Sequence, residues 1–324
     1  MIVLYLVGLI IALFGLVWSA RKSVDRMIGI ARAYDVPDAL IAMSIIAVGT
    51  SLPEICSHII ASAGILSGTL AYDVTSYSVI GGNMGSSTMQ QFLFVGIILI
   101  SFGSREYEKQ FFRDTYIPML AGFLLVFGLA YDGVIGHVDG GVLLIAFTVY
   151  MIVSYLCRDQ DVDVKETASQ TVKMDVLIAL AGFMGVMISA FVSLKMVEIL
   201  VSELGLNGSM AGVLSLGFAA ALPEFSTVVE SIRRENPYLG LGTVIGSNVV
   251  NPLVGIGGGG AISTYLVPKS LLYWDLPFKF FVGLLLLVWI YVIKNRRAGR
   301  AEGIIMVVCY FLYLSIRVMF FART

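Results

Sequence analysis

The sequence predicts an all-α polytopic membrane protein of ten transmembrane helices, arranged as two inverted five-helix repeats. Three observations lead there. Hydrophobic residues make up 58% of the 324 and charged residues 13%, roughly half the charge of a soluble domain, and mean hydropathy is +0.91. Stretches long enough to cross about 30 Å of hydrocarbon, roughly 20 residues each, fall at 2–20, 38–64, 78–103, 115–131 and 139–157, then at 174–200, 209–232, 239–263, 276–293 and 302–321. The segment leading into the second stretch also recurs before the seventh at a constant offset.

In the first stretch, Arg21 and Lys22 follow the apolar run. A cleaved secretory leader carries its positive residues ahead of that run, so this one is expected to remain as a helix. The fifth and sixth stretches are separated by the polar segment 158–173, which divides the chain into a first repeat at 1–157, a cytoplasmic linker, and a second repeat at 174–324. Lysine and arginine concentrate in the odd-numbered connections, at Arg21, Lys22, Arg26 and Arg32, at Arg105, Lys109 and Arg113, at Arg158, Lys165 and Lys173, at Arg233 and Arg234, and at Lys294, Arg296, Arg297 and Arg300. Lys269 is the clear exception. Short cytoplasmic loops are enriched in these residues, which places both termini outside a cell membrane crossed many times.

The net charge of −1 offers no basic field to nucleic acid, and no protein partner is evident. Cys56, Cys157 and Cys309 lie in apolar runs without metal-ligand spacing, and read as small buried side chains.

The repeat decides the architecture. At one offset Gly15 meets Gly185, Ser19 meets Ser189, Val36 meets Leu206, and Leu52-Pro53-Glu54 meets Leu222-Pro223-Glu224. Further on, Gly85-Ser86-Ser87 answers Gly246-Ser247-Asn248. Because each copy holds an odd number of helices, the second sits upside down relative to the first, as in secondary transporters.

Proline in a helix interior removes one backbone hydrogen bond and breaks or bends the helix. In a membrane this is tolerated where the released carbonyls, here around Thr50 and Ala220, meet protein, water or an ion. Glu54 and Glu224 follow those prolines, and neither has a basic residue in its own segment. An unpaired intramembrane carboxylate is costly, so a bound cation or a proton is the expected counter-charge. A lone glutamate of this kind is as readily a protonated, hydrogen-bonded packing group; two at symmetry-related positions favour a shared central site. Ser86 and Gln90 match Ser247 and Asn251, each hydroxyl and amide four apart on one helix face. Two carboxylates with neutral oxygens form a hard-donor cage of charge −2, which suits calcium better than magnesium.

His58 lies one turn after Glu54, and reads as a hydrogen-bonded structural histidine ahead of a proton acceptor or ligand. His137, Asp73, Asp132, Asp139 and Glu203 fall in expected outer loops, and Met84, Met89, Trp274 and Trp289 read as packing or interfacial anchors.

These motifs resemble the calcium/cation antiporters, the family that includes the sodium/calcium exchangers. Its Gly-Thr-Ser-x-Pro-Glu/Asp motif stands intact at Gly49-Thr50-Ser51-Leu52-Pro53-Glu54, and its Gly-Ser-Asn-x-x-Asn/Asp motif at Gly246-Ser247-Asn248-Val249-Val250-Asn251. Two copies depart: Ala219-Ala220-Ala221 replaces the hydroxyl pair before Leu222-Pro223-Glu224, and repeat 1 reads Gly85-Ser86-Ser87-Thr88-Met89-Gln90. The short central loop is similar to that of prokaryotic members. The resemblance implies an antiporter without a tightly bound cofactor, exchanging calcium for sodium or protons by alternating access at Glu54 and Glu224. Backbone oxygens at Thr50 and Ala220 assist, with Ser51, Ser86, Gln90, Ser247 and Asn251. The missing hydroxyl at Ala221 removes one sodium ligand and makes proton coupling without sodium dependence the rival reading. From another class, an intramembrane hydrolase with paired carboxylates needs two carboxyls in contact. A channel needs no broken helix in both repeats.

Overall fold

The computed structural model describes residues 2–34, 47–156, 171–205 and 207–321. Helix α1 is Ile2–Ala33 and α2 comprises Ala47–Thr50 and Leu52–Leu66; the expected start of α2 at 38–46 lies outside the described residues. There follow α3 (Tyr72–Phe102), α4 (Lys109–Leu129), α5 (His137–Leu156), α6 (Val172–Leu204), α7 (Gly208–Ala220 and Leu222–Arg233), α8 (Pro237–Ile262), α9 (Leu271–Ile293) and α10 (Arg300–Phe321). Eight of these pass the length and hydropathy expected of a span, α7 is a span bent by 43° at its break, and the described part of α2 is a shorter apolar helix. Most of the 158–173 segment lies outside the described residues, and α6 begins at Val172.

Helix α1 runs well beyond the apolar stretch that announced it. Its polar end packs on α6, where Ser23 Oγ donates to the Ala179 carbonyl at 2.9 Å and Arg26 Nη1 pairs with Asp175 at 2.7 Å. The same two helices cross with matched glycines. A Cβ on Gly15 would lie 2.9 Å from Ser189 Oγ, and one on Gly185 would lie 2.6 Å from Ser19 Oγ. Each glycine therefore receives the serine of the other repeat, a two-fold exchange visible in side chains.

Two short strand pairs repeat the exchange. β1 (Arg105–Glu106) follows α3 and pairs antiparallel with β4 (Arg297–Ala298), which follows α9. β2 (Val134–Ile135) follows α4 and pairs with β3 (Tyr265–Leu266), which follows α8. Two-residue strands cannot pair across a membrane, so α3 and α9 end on one face, and α4 and α8 end on the other. The third helix of each repeat thus ends on the opposite face from its counterpart, which is the inversion. Arg105, Lys109, Arg113, Lys294, Arg296, Arg297 and Arg300 all gather on the first face, where Arg296 Nη2 meets Glu106 at 2.8 Å.

Candidate ion-binding site between two broken helices

In α2 the helix stops at Thr50 and restarts at Leu52, with Ser51 at φ −85° and ψ 6° between. In α7 it stops at Ala220 and restarts at Leu222, with Ala221 at φ −77° and ψ −9°. Proline is responsible in both: it supplies no N–H to the carbonyl a turn earlier and suits the first turn of the renewed helix. Each glutamate then falls in that first turn, and its own amide N–H turns to its carboxylate.

The two carboxylates are buried, at 4% and 0% exposure for Glu54 and Glu224, and they repel one another across the site. Helix α8 serves both. Ser247 Oγ donates to Glu224 Oε1 at 3.0 Å, and Asn251 Nδ2 donates to Glu54 Oε1 at 3.2 Å. Thr50 Oγ1 lies 3.4 Å from Ser247 Oγ, and the Ser86 hydroxyl on α3, beside Glu54, donates to the Asn83 carbonyl at 3.2 Å. Ser51 is fully buried, and Ala220 and Ala221 are buried on the matching side. Every residue expected of the site is thus near one of the two breaks or on α3 and α8 between them.

Gln90 departs from the symmetric expectation. Its Oε1 accepts from Asn248 Nδ2 at 3.1 Å, and Asn248 Nδ2 also donates to Val244 at 2.9 Å. At the matching place repeat 1 carries the shorter Ser87, whose hydroxyl turns back to the Asn83 carbonyl at 2.6 Å. The π-helical turns Met89–Phe94 and Asn251–Ile256 lie at corresponding places in α3 and α8. Such turns re-aim side chains within a helix.

Buried oxygens without a hydrogen-bond partner identify what this arrangement can hold. They include Glu54 Oε2, Glu224 Oε2, Ser51 Oγ and Asn251 Oδ1. Unpaired acceptors at this depth fit a cation and disfavour an anion. No group of three His, Cys, Asp or Glu that could hold a metal occurs among the described residues, so a cation held here would have two carboxylates and neutral oxygens as its donors.

His58 is buried with one ring nitrogen partnered and Nδ1 without a hydrogen-bond partner. Its Nε2 lies 3.3 Å from Asn83 Nδ2, its carbonyl accepts from Tyr265 Oη at 2.7 Å, and Asn83 Nδ2 donates to the Asn251 carbonyl at 2.8 Å. Asn83 escaped the sequence reading, its signal being an amide one turn before Ser86, and Asn248 was read as a motif residue but not placed in the site. Arg21 also escaped it, reaching from α1 to the Leu222 carbonyl at 3.3 Å, near Glu224. Asp132 and Asp139 accept from the backbone N–H groups of Val134 and Gly136 in their own loop, and His137 Nδ1 lies 3.0 Å from the Ala261 carbonyl near the end of α8. Cys56 and Cys309 are free thiols, and Cys157 lies outside the described residues.

Residues 4–156 and 174–319 match the family model described as sodium/calcium exchanger protein. A putative antiporter, CaxA, of Alkalimonas amylolytica is 24% identical and covers 95% of each chain. The sodium/calcium exchanger MaX1 of Methanosarcina acetivorans is 23% identical, covering 96% of this chain and 98% of its own. Among solved structures, the sodium-calcium exchanger NCX_Mj superposes with a TM-score of 0.62 at 22% identity, over 97% of this chain and 99% of that one. The H+/Ca2+ exchanger CAX superposes at 0.79 with 13% identity, over 96% and 82%. The chain thus shares the ten-helix, inverted-repeat fold of these structures. With both five-helix halves matched, the chain belongs to the sodium/calcium exchanger protein family.

Proposed function

We propose that this protein exchanges calcium for sodium or protons by alternating access at one site formed by Glu54 and Glu224. The observation that carries the reading is the pair of buried glutamates at matched helix breaks, both hydrogen-bonded from α8. A calcium ion balances a charge of −2, takes about six to eight oxygens in flexible geometry, and finds them at Glu54, Glu224, Ser51, Ser86, Ser247 and Asn251, with backbone oxygens near Thr50 and Ala220. Gln90 joins by exchanging its bond to Asn248. When calcium leaves, the carboxylates must be neutralised by monovalent ions, because two adjacent charges are costly in a dry site. That shared requirement couples the fluxes without a tightly bound cofactor or protein partner. In this reading both termini are extracytoplasmic, and 158–173 is a cytoplasmic linker between repeats 1–157 and 174–324.

Sodium-independent proton coupling is the second reading, favoured by one observation. Ala221, at the hinge where repeat 1 has Ser51, is fully buried and brings a methyl group in place of a hydroxyl. Calcium uptake into proteoliposomes, driven separately by a sodium gradient and by a pH gradient, tests both readings. Uptake with either gradient supports exchange, the effective gradient names the counter-ion, and uptake that ignores both refutes antiport.

A further inference from the structure

Asn248 belongs to the late motif of repeat 2 but bonds neither glutamate. It is fully buried on α8, next to the Ser247 that donates to Glu224, and its Nδ2 makes two bonds. One goes to the Val244 carbonyl a turn earlier at 2.9 Å, the other across to Gln90 Oε1 on α3 at 3.1 Å. Repeat 1 has the first bond without the second. Ser87, the counterpart of Asn248, donates to the carbonyl of Asn83, the counterpart of Val244, and its hydroxyl meets Lys279 rather than Asn251.

That second bond separates two amides that the duplication makes equivalent. Asn251 donates to Glu54 and keeps its Oδ1 unpartnered. Gln90, its counterpart, bonds neither Glu54 nor Glu224 among the described residues; its Oε1 is taken by Asn248, and its Nε2 is left without a partner. A buried amide N–H without an acceptor is costly, so this orientation of Gln90 is one that Asn248 imposes. The Val244 bond explains how: it makes Asn248 present N–H to Gln90, while Asn248 Oδ1 is itself unpartnered. Oε1 is the atom of Gln90 that can ligate a cation. An oxygen accepts twice, so contact with Asn248 does not by itself bar ligation. What sets Gln90 apart is that Asn251 reaches a glutamate and Gln90 reaches none.

We propose that Asn248 is a positioning residue that withholds Gln90 from the ion, so that calcium recruits this oxygen only by breaking the Asn248–Gln90 bond. The inference rests on the Glu54–Glu224 reading given above and adds to it a residue that sets how tightly that site binds. A calcium ion held by two carboxylates draws its other ligands from neutral oxygens, and an oxygen that a protein N–H must first let go contributes only in part. Neither Asn248 nor Gln90 carries charge, so the effect falls on affinity and leaves the charge of the cage unaltered. A carrier must also release its cargo. The N–H that reclaims Gln90 Oε1 aids that release.

The test titrates calcium into the purified protein by calorimetry, at fixed pH and without sodium, for wild type, Asn248→Ser, Gln90→Met and the double variant. Serine is what repeat 1 carries at this place, with the bond to the carbonyl a turn earlier, so Asn248→Ser removes the N–H without adding charge. Its dissociation constant for calcium is expected to fall about fivefold, the scale of one neutral hydrogen bond that binding no longer breaks. Gln90→Met keeps the length of the side chain and lacks the oxygen. In that background, adding Asn248→Ser is expected to change the constant by less than about twofold, because the two residues act through one contact. If Asn248→Ser does not fold, Asn248→Thr carries the comparison, since Thr88 makes the same kind of bond to the Met84 carbonyl at 2.6 Å. An unchanged or weaker calcium affinity in Asn248→Ser overturns the inference, as does an equal gain in the Gln90→Met background, which would assign the effect to packing. Glu224→Gln titrated in parallel separates the two ideas: wild-type affinity there refutes the glutamate site itself, whereas affinity lost there and unchanged in Asn248→Ser refutes the role of Asn248 alone.

Discussion

Glu54 and Glu224 share a break, a depth and a hydrogen-bonding helix, yet their surroundings differ by single atoms. Beside Glu54 stands the buried hydroxyl of Ser51; at the matching hinge by Glu224 stands the methyl of Ala221. Removing one partner of a buried charged pair costs about 3–5 kcal/mol, so Glu54→Gln or Glu224→Gln is expected to weaken calcium exchange more than ~100-fold in folded protein. Near-normal flux in either variant would refute the shared site. Ala221→Ser supplies an oxygen where the alanine offers none, and sodium-driven efflux is expected to steepen and to saturate at lower sodium. If wild type already shows strongly cooperative sodium dependence with no response to pH, the inference from that missing hydroxyl is wrong.

At the level of the helix, the breaks in α2 and α7 follow directly from proline, but their usefulness comes from what packs beside them. α3 and α7 approach so closely that a Cβ on Gly81 would collide with the Ser209 carbonyl, and one on Gly212 with the Ser78 carbonyl. Small residues permit this contact, and it brings the α7 break beside Ser86; a Cβ on Gly217 would lie 2.9 Å from the Ser86 amide nitrogen. Gly212→Ala is therefore expected to cost about 1–3 kcal/mol through overpacking. Gly242→Ala in α8 meets nothing within 4 Å, and is expected to be neutral or up to about 1 kcal/mol stabilising. Thermal unfolding of the two variants in detergent compares them directly, and equal melting temperatures would remove the α3–α7 contact from the account.

For the whole molecule, the paired strands fix relative sidedness, and the arginine and lysine bias is the ground for proposing which face is cytoplasmic. Single cysteines at Arg105 and Arg297 are expected to react with an impermeant thiol reagent only from the cytoplasmic side, and one at Asp132 only from outside. These substitutions belong in a background lacking Cys56, Cys157 and Cys309. Labelling of positions 105 and 297 from opposite sides would contradict the β1–β4 pairing, and labelling of 105 and 132 from the same side would contradict the inverted arrangement.

Hydrophobic length, basic loops and two Leu-Pro-Glu segments were enough, within the sequence, to determine an inverted ten-helix membrane fold and to point at both glutamates. Each of these signals is local or periodic: hydrocarbon thickness sets helix length, proline acts on its own turn, and duplication leaves residues in register. Partner choice across helices is neither local nor periodic. Only the folded molecule turns Asn248 rather than Glu224 toward Gln90, brings Arg21 from α1 to the α7 break, and buries Lys279 against Ser87. A side chain's partner in those contacts depends on its direction around one helix and on which helix is adjacent there. Lys279 reads in the sequence as one charge within an apolar stretch; its contacts with Ser87 and the Phe123 ring are decided by the packing of α9 on α3 and α4.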